Sequence, residues 1–295
     1  MSIETVEGLS MGGTWRLRLP LGQTDPRGIV QAGLDLVEGQ MSAWRATSAL
    51  NQINASPLGQ WVPVPAETAA VIGAGLDLMR LAPDAFSILM GGTQAADGFI
   101  PGRVCPMGHS PDLLELRGHC ARRHADFAID LNAIAKGFAA DLVSLMLTEA
   151  GYSDFLIEVA GDIMARGQRP DGLPWTVALE LPVPDRMIAA RLIPLFNSAI
   201  ATSGGYRRSI GARSHLRRPG TGHALTGAPA SVAVLAATGM QADGWATVMA
   251  VLGAERGLKL AASVGLAVVF IDTAPDGFRE TGSPVMDALL DQIEA

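Results

Sequence analysis

Cysteine is scarce: Cys105 and Cys120 are the only two in 295 residues, which argues against a disulfide-stapled secreted scaffold and fits a reducing compartment. Long apolar runs are also missing. "SVAVLAATG" and "GLAVVFI" fall far short of the roughly 20 apolar residues that span a bilayer, and read instead as buried strands. Positive charge is not in excess. With 22 Lys+Arg against 29 Asp+Glu the net charge is −7, so there is no general attraction to nucleic acid or anionic lipid, and any phosphate must be held locally. The opening "MSIETVEGLSMGG" has no basic segment followed by an apolar run, so no signal peptide or lipid anchor is expected and the cytoplasm is the expected location. No G-x-S-x-G elbow, Walker loop or G-x-G-x-x-G turn occurs, and no internal repeat stands out.

Glycine and proline, by contrast, are plentiful at 34 and 18, and they punctuate the chain with turns. "TWRLRLP" alternates as a half-buried strand does. "RGIVQAGLDLVEGQMSAW" and "PAETAAVIGAGLDLMRLA" read as packed helices, and residues 86 to 125 as loop-rich with one strand at "LLELRG". "DLVSLMLTEAG" is helical. "FLIEVAGDIMARG" and "WTVALELP" each read as a strand, "ARLIPLFNSAIATSGG" as a strand pair, "MQADGWATVMAVLGAERGLKLAA" as one or two helices, and "LAVVFID" as the strand that closes the sheet. Strands in runs with helices between them predict an α+β fold of mixed or antiparallel sheets packed with helices, in a single unit over 1–295.

Three stretches could carry chemistry. "DFAIDLNAIAKGFAADLV" reads as a strand stopping at Asp130, a bend, and a helix. Such a junction presents unpaired backbone N–H groups and the positive end of a helix dipole, with Lys136 adding a mobile positive charge. This points to a nucleotide; the alternative is an N-capping Asp130 with a solvated Lys136. In "MQADGWATVM", Asp243 and Thr247 are one helical turn apart and offer hard oxygens suited to Mg²⁺, or else an N-terminal-turn Asp with an inward Thr. "AIATSGGYRRSIGARSHLRRPGTGHAL" is rich in Arg and Gly, able to wrap an anion or simply to be a solvated basic loop. Cys105, His109, His119, Cys120 and His124 are spaced unlike any usual zinc site.

Taken in order, these segments resemble the FAD:protein FMN transferase (ApbE) family, which implies an ApbE-like, T-fold-related fold. "MGGTW" is like the family's MGT opening, "MSAWRATSALNQIN" like its MSTW stretch, and "DLNAIAKGFAADLV" like DL-x-x-IAKGYAVD. "EVAGDI" is like its GGD/GGE turn, "AIATSGGYRR" like ATSGDYR, "SHLRRPGTG" like HIIDPRTG, and "MQADGWATVMAVLG" like its ADALAT helix. The resemblance implies Mg²⁺-dependent transfer of FMN from FAD onto a Ser or Thr hydroxyl of a target flavoprotein, with AMP leaving. By resemblance, Asp243, Thr247 and the backbone carbonyl of Ala133 hold Mg²⁺. Met11, Trp44, Ala85, Phe86, Asp130, Lys136, Thr202, Ser203 and His215 contact FAD, and Asp243 and His215 are the catalytic candidates. Asp162, in a Gly-Asp turn, reads as structural. Asp243→Ala is expected to abolish turnover while leaving the fold largely intact.

Three family carboxylates are absent, with Ser87, Gly205 and Arg218 in their places. Their loss implies weaker adenine or ribose contacts, a different target, or a protein that binds flavin without transferring it. Metal-dependent FAD hydrolysis to FMN and AMP is a further alternative.

Overall fold

The computed structural model describes residues 2–181, 183, 188–204, 209–210, 213–214, 216–225 and 228–294. In chain order its elements are β1 (Ile3–Ser10), β2 (Gly13–Pro20), α1 (Arg27–Met41), α2 (Ala49–Ala55), β3 (Trp61–Pro63), α3 (Ala66–Leu81), α4 (Gly91–Ala96), β4 (Leu114–Arg117) and β5 (Cys120–Arg123). They continue with α5 (Ala135–Glu149), β6 (Phe155–Val159), β7 (Asp162–Arg166), β8 (Trp175–Glu180), β9 (Ala189–Leu195), β10 (Ala199–Ser203), β11 (Ser209–Ile210) and β12 (Arg213–Ser214). The last are β13 (Ser231–Ala236), α6 (Gly239–Val264), β14 (Ala267–Ala274), β15 (Gly277–Gly282) and α7 (Pro284–Glu294). Helices and antiparallel sheets together make the α+β class that the strand runs predict. The contacts divide the chain into two compact units, Met1–Leu34, Lys136–Arg207 and Gly227–Ala295 in the first, Asp35–Ala135 and Arg208–Thr226 in the second.

The first unit is organised on an eight-stranded sheet in the order β1-β2-β6-β7-β10-β13-β14-β15, with antiparallel neighbours throughout. Its middle strands are covered on both faces, which is why β13 reads SVAVLA and β14 AVVFI without alternation, whereas the edge strands β1 and β15 are largely exposed. One face packs a core of Leu156, Trp175, Ile193, Ile200, Val269 and Met286, contributed by the sheet, the separate β8–β9 ribbon and α7. On α6, which packs against β10, β13 and β14, Gly257 lies so close to Phe270 that a Cβ there would stand 2.7 Å from the ring. The α6 stretch is one element interrupted at Gly253, whose φ of 72° and ψ of 172° are open essentially to glycine alone.

Two strand readings change. "FLIEVAGDIMAR" is a hairpin, β6 and β7, because Ala160 and Gly161 take φ of 50° and 100° and reverse the chain in two residues. The pair in "ARLIPLFNSAIATSGG" is present as β9 and β10, but these do not pair with each other: β9 joins β8, and β10 lies between β7 and β13.

The second unit packs α2 and α3 with a three-stranded sheet, β3-β5-β4. The run from Asp126 to Asp130, read as a strand, belongs to no sheet. Its backbone is satisfied in other ways: the Asn54 side chain donates to Ile129 O at 3.0 Å and accepts from Ile129 N at 2.7 Å, while Asp130 N donates to Ile88 O at 2.8 Å. The buried Arg123 guanidinium braces the same run by donating to Phe127 O and Ser56 O.

Candidate functional site

A helix start leaves its first amide donors without helical acceptors. For α6 each is accounted for. Gly239 N and Met240 N donate to the two carboxylate oxygens of Asp141 at 2.6 and 2.9 Å, Gln241 N donates to Thr238 Oγ1 at 3.2 Å, and Ala242 N donates to Thr238 O at 3.0 Å. Asp141 lies on α5. Near the start of α5 the relation is reversed, since Gly137 N donates to Oδ2 of Asp243, on α6, at 3.1 Å. Each helix therefore caps the other with a carboxylate four residues beyond its own glycine. The two runs are GFAAD and GMQAD, Gly137–Asp141 and Gly239–Asp243. Glycine is needed at both positions because the backbones touch: a Cβ on Gly137 would lie 2.0 Å from Gly239 O, and one on Gly239 2.4 Å from Gly137 O.

Lys136 stands beside this crossing. Its Nζ donates to Oδ1 and Oδ2 of Asp243 at 3.2 and 3.1 Å and lies 3.2 Å from Oδ2 of Asp162. The Asp162 oxygen makes a charge contact without hydrogen-bond alignment, and it has no hydrogen-bond partner among the described residues. Asp162 and Asp243 are each only 3 % exposed. Burial works against the Lys136 ammonium, but the Asp162 and Asp243 carboxylates outweigh it and raise the lysine above its ordinary range. Burial, reinforced by the Asp243 charge, pushes Asp162 up to about 8 against the pull of Lys136. Thr247 sits one turn further along α6, half-buried.

Strand registers assemble the rest of the first unit's candidates at one end of the large sheet. Ser10 pairs Gly13 across a tight turn in which Met11 and Gly12 have φ of 52° and 73°. Trp15 pairs Val159, which sets the β6–β7 turn and Asp162 beside that of Met11. Ile200 pairs Ile163 and Ser203 pairs Val232, so Thr202 and Ser203 end β10 at this same edge.

Other candidates belong to the second unit. Trp44 is 56 % exposed, whereas Ala85 and Phe86 are buried at 1 and 2 %, so those two can offer a ligand backbone but not side chains. Asp130 Oδ1 accepts from Asn132 N and Nδ2 at 3.0 and 2.6 Å, an Asx turn that shapes the bend holding Ala133. Ser87 Oγ accepts from Leu89 N at 3.0 Å, supplying the kind of local turn bond that an Asp side chain can also make. Within the Arg-rich stretch, Arg217 is neither an anion wrapper nor solvated. It is buried, ion-paired with Asp97 and donating to Gly222 O at 2.6 Å. Arg218 is exposed. His215 and Gly205 lie outside the described residues.

Sequence reasoning missed two participants. Asp162, read as a turn-former, faces Lys136; Asp141 was not singled out at all. The signal that could have found Asp141 is the shared G-x-x-A-D, visible on comparing the two helix starts. The expectation that Asp243→Ala spares the fold also changes, because removing this carboxylate takes two hydrogen bonds from the buried Lys136 ammonium and leaves the Gly137 N–H without its carboxylate acceptor.

Residues 11–270 match the ApbE family. A curated FAD:protein FMN transferase of Vibrio cholerae is 32 % identical over 267 residues, 85 % of this chain and 80 % of the relative, and one of Klebsiella pneumoniae is 30 % identical over 95 % of this chain and 87 % of the relative. Among solved structures, the flavin transferase ApbE of Vibrio cholerae superposes with a TM-score of 0.86 at 29 % identity, covering 97 % of this chain and 99 % of the other. The apo flavinyl transferase ApbE of Pseudomonas stutzeri gives 0.86 at 30 %, covering 98 and 96 %. With its seven motifs in order and a match across most of its length, this chain belongs to the ApbE family.

Proposed function

We propose that this protein transfers the FMN half of FAD onto a Ser or Thr hydroxyl of a target flavoprotein, releasing AMP, with Mg²⁺ as the assisting cation. The observation that carries the reading is the Lys136–Asp162–Asp243 cluster at the crossing of two helix starts, in a chain whose relatives are named for this transfer. The donor set suits a hard cation. Asp243 and Thr247 offer oxygen from one helix face, and the site already holds a positive group, Lys136, on two buried carboxyl side chains. By the resemblance, the backbone carbonyl of Ala133 is the third proposed ligand. When bound, such an ion would supply neutralisation of the charge that builds on the diphosphate during transfer.

The chain's own residues do the rest. Lys136 places a positive charge beside the starts of α5 and α6, whose amides the Asp243 and Asp141 carboxylates already cap, and that charge would attract a diphosphate. By the resemblance, Met11, Thr202 and Ser203 of the first unit, Trp44, Ala85, Phe86 and Asp130 of the second, and His215 are the proposed FAD contacts; the exposed Trp44 ring has the flat apolar face that flavin stacking needs. Cytoplasmic location belongs to the same proposal and is supported by the two free cysteines. Among the described residues no helix is long and apolar enough to cross a membrane.

The test is incubation with FAD, Mg²⁺ and an acceptor flavoprotein, followed by a denaturing gel viewed for flavin fluorescence. A fluorescent acceptor band is expected. Free FMN and AMP with an unlabelled acceptor would make the protein a hydrolase instead, and FAD left whole would make it a binding protein.

A further inference from the structure

We infer that Lys136 is a resident competitor for the divalent cation, and that Asp162 is the positioning residue that receives its ammonium when Asp243 turns to the metal. The inference rests on the cation reading of Asp243 given above.

Three observations combine. Lys136 Nζ contacts both oxygens of Asp243, at 3.1 and 3.2 Å, so the carboxylate proposed as a ligand is already neutralised by a cation of this chain's own. A second positive ion drawing on Asp243 must either share it with the ammonium, at close like-charge range, or displace it. Asp162 supplies the place to go. Its Oδ2 is 3.2 Å from Nζ yet makes no hydrogen bond, so it has an unused lone pair within a small side-chain rotation of the ammonium. It is also held in place, because it opens β7 directly after the two-residue Ala160–Gly161 turn, in a strand flanked by β6 and β10. The lysine can thus stay buried and paired in both states. Gly137 N, which donates to Asp243 Oδ2, keeps that carboxylate aimed at the site when the ammonium leaves.

The consequence for binding is opposite to that of a residue which helps to hold the metal. Without the Lys136 charge, Asp243 is open and the incoming ion meets no resident cation, so affinity for a divalent ion rises. Without Asp162, the ammonium loses that alternative carboxylate and competes more firmly for Asp243, so affinity falls.

The test is titration of the whole protein with Mn²⁺, without FAD or acceptor, reading free Mn²⁺ by electron paramagnetic resonance. Lys136→Met should bind about tenfold tighter or better than wild type, and Asp162→Asn about tenfold more weakly, each tenfold being about 1.4 kcal/mol. In the Lys136→Met background the Asp162→Asn effect should shrink, because the competitor that Asp162 receives is gone; a merely structural Asp162 would give the same loss in both backgrounds. Where Lys136→Met folds poorly, Lys136→Gln should tighten binding in the same direction, and saturating Mn²⁺ should raise its Tm by more than it raises that of wild type. Wild type that binds Mn²⁺ while Lys136→Met binds equally or more weakly overturns this inference and leaves the cation reading standing. Mn²⁺ ignored by wild type and variants alike overturns both.

Discussion

Gly137 and Gly239 stand back to back, so close that a single methyl on the first would lie 2.0 Å from the carbonyl oxygen of the second. The obstacle is backbone at a helix start, and it cannot rotate away as a side chain would. Gly137→Ala should therefore prise α5 from α6 and lower stability by at least about 3 kcal/mol, read as a shifted urea midpoint. Retention of the wild-type midpoint would mean that the crossing is looser than it looks.

Asp141 and Asp243 occupy matching places in the reciprocal caps, but only Asp243 also meets Lys136. Asp141→Asn should cost about 1–2 kcal/mol as a weakened cap, with Mn²⁺ affinity changed little. Asp243→Asn should lose both stability and Mn²⁺ binding. Parallel chemical melts and metal titrations separate the two; equal loss of metal affinity would place Asp141 in the cation site.

Ala160 is a non-glycine residue at a φ of 50°, the first turn position of the β6–β7 hairpin. Removing its methyl relieves the left-handed strain, and the greater freedom of the unfolded chain offsets part of the gain. Ala160→Gly should raise stability by about 0.5–1 kcal/mol, measured as an upward shift of Tm. A lowered Tm would show the methyl to be contributing packing that outweighs the strain.

Burial, reinforced by the Asp243 charge, pushes the Asp162 carboxyl up to about 8 in the folded protein, whereas in the unfolded chain it returns to the ordinary value of 3.8. Between those limits the native state binds more protons than the unfolded one, so this group's contribution to stability is full at acid pH and is lost as pH rises toward 8. With EDTA present, urea melts at three pH values across that window should show wild type losing more stability with rising pH than Asp162→Asn. A parallel pair of curves would remove the buried proton from this residue.

Much of the fold was legible in the sequence because local and tertiary preferences agree. The unbroken apolar runs of β13 and β14 announce strands covered on both faces. The β6–β7 hairpin was hidden because Ala160 occupies a position for which Asn or Gly is the usual sign. Asp126–Asp130 mimicked a strand because its amides are met by the Asn54 side chain and a distant carbonyl, partners that no periodicity reveals. In the site, Asp243 and Lys136 were visible through their motifs. Asp162 and Asp141 were not, since their part is set by which helix start meets which turn.

The exchange of carboxylates between α5 and α6 also bears on rigidity. Neither helix can slide along its axis without unfastening the other, so the amide that aims Asp243 is anchored at the moment of folding, before any ligand arrives. Recognition can then proceed with little backbone rearrangement at this point, leaving the swing of one lysine side chain as the principal local adjustment.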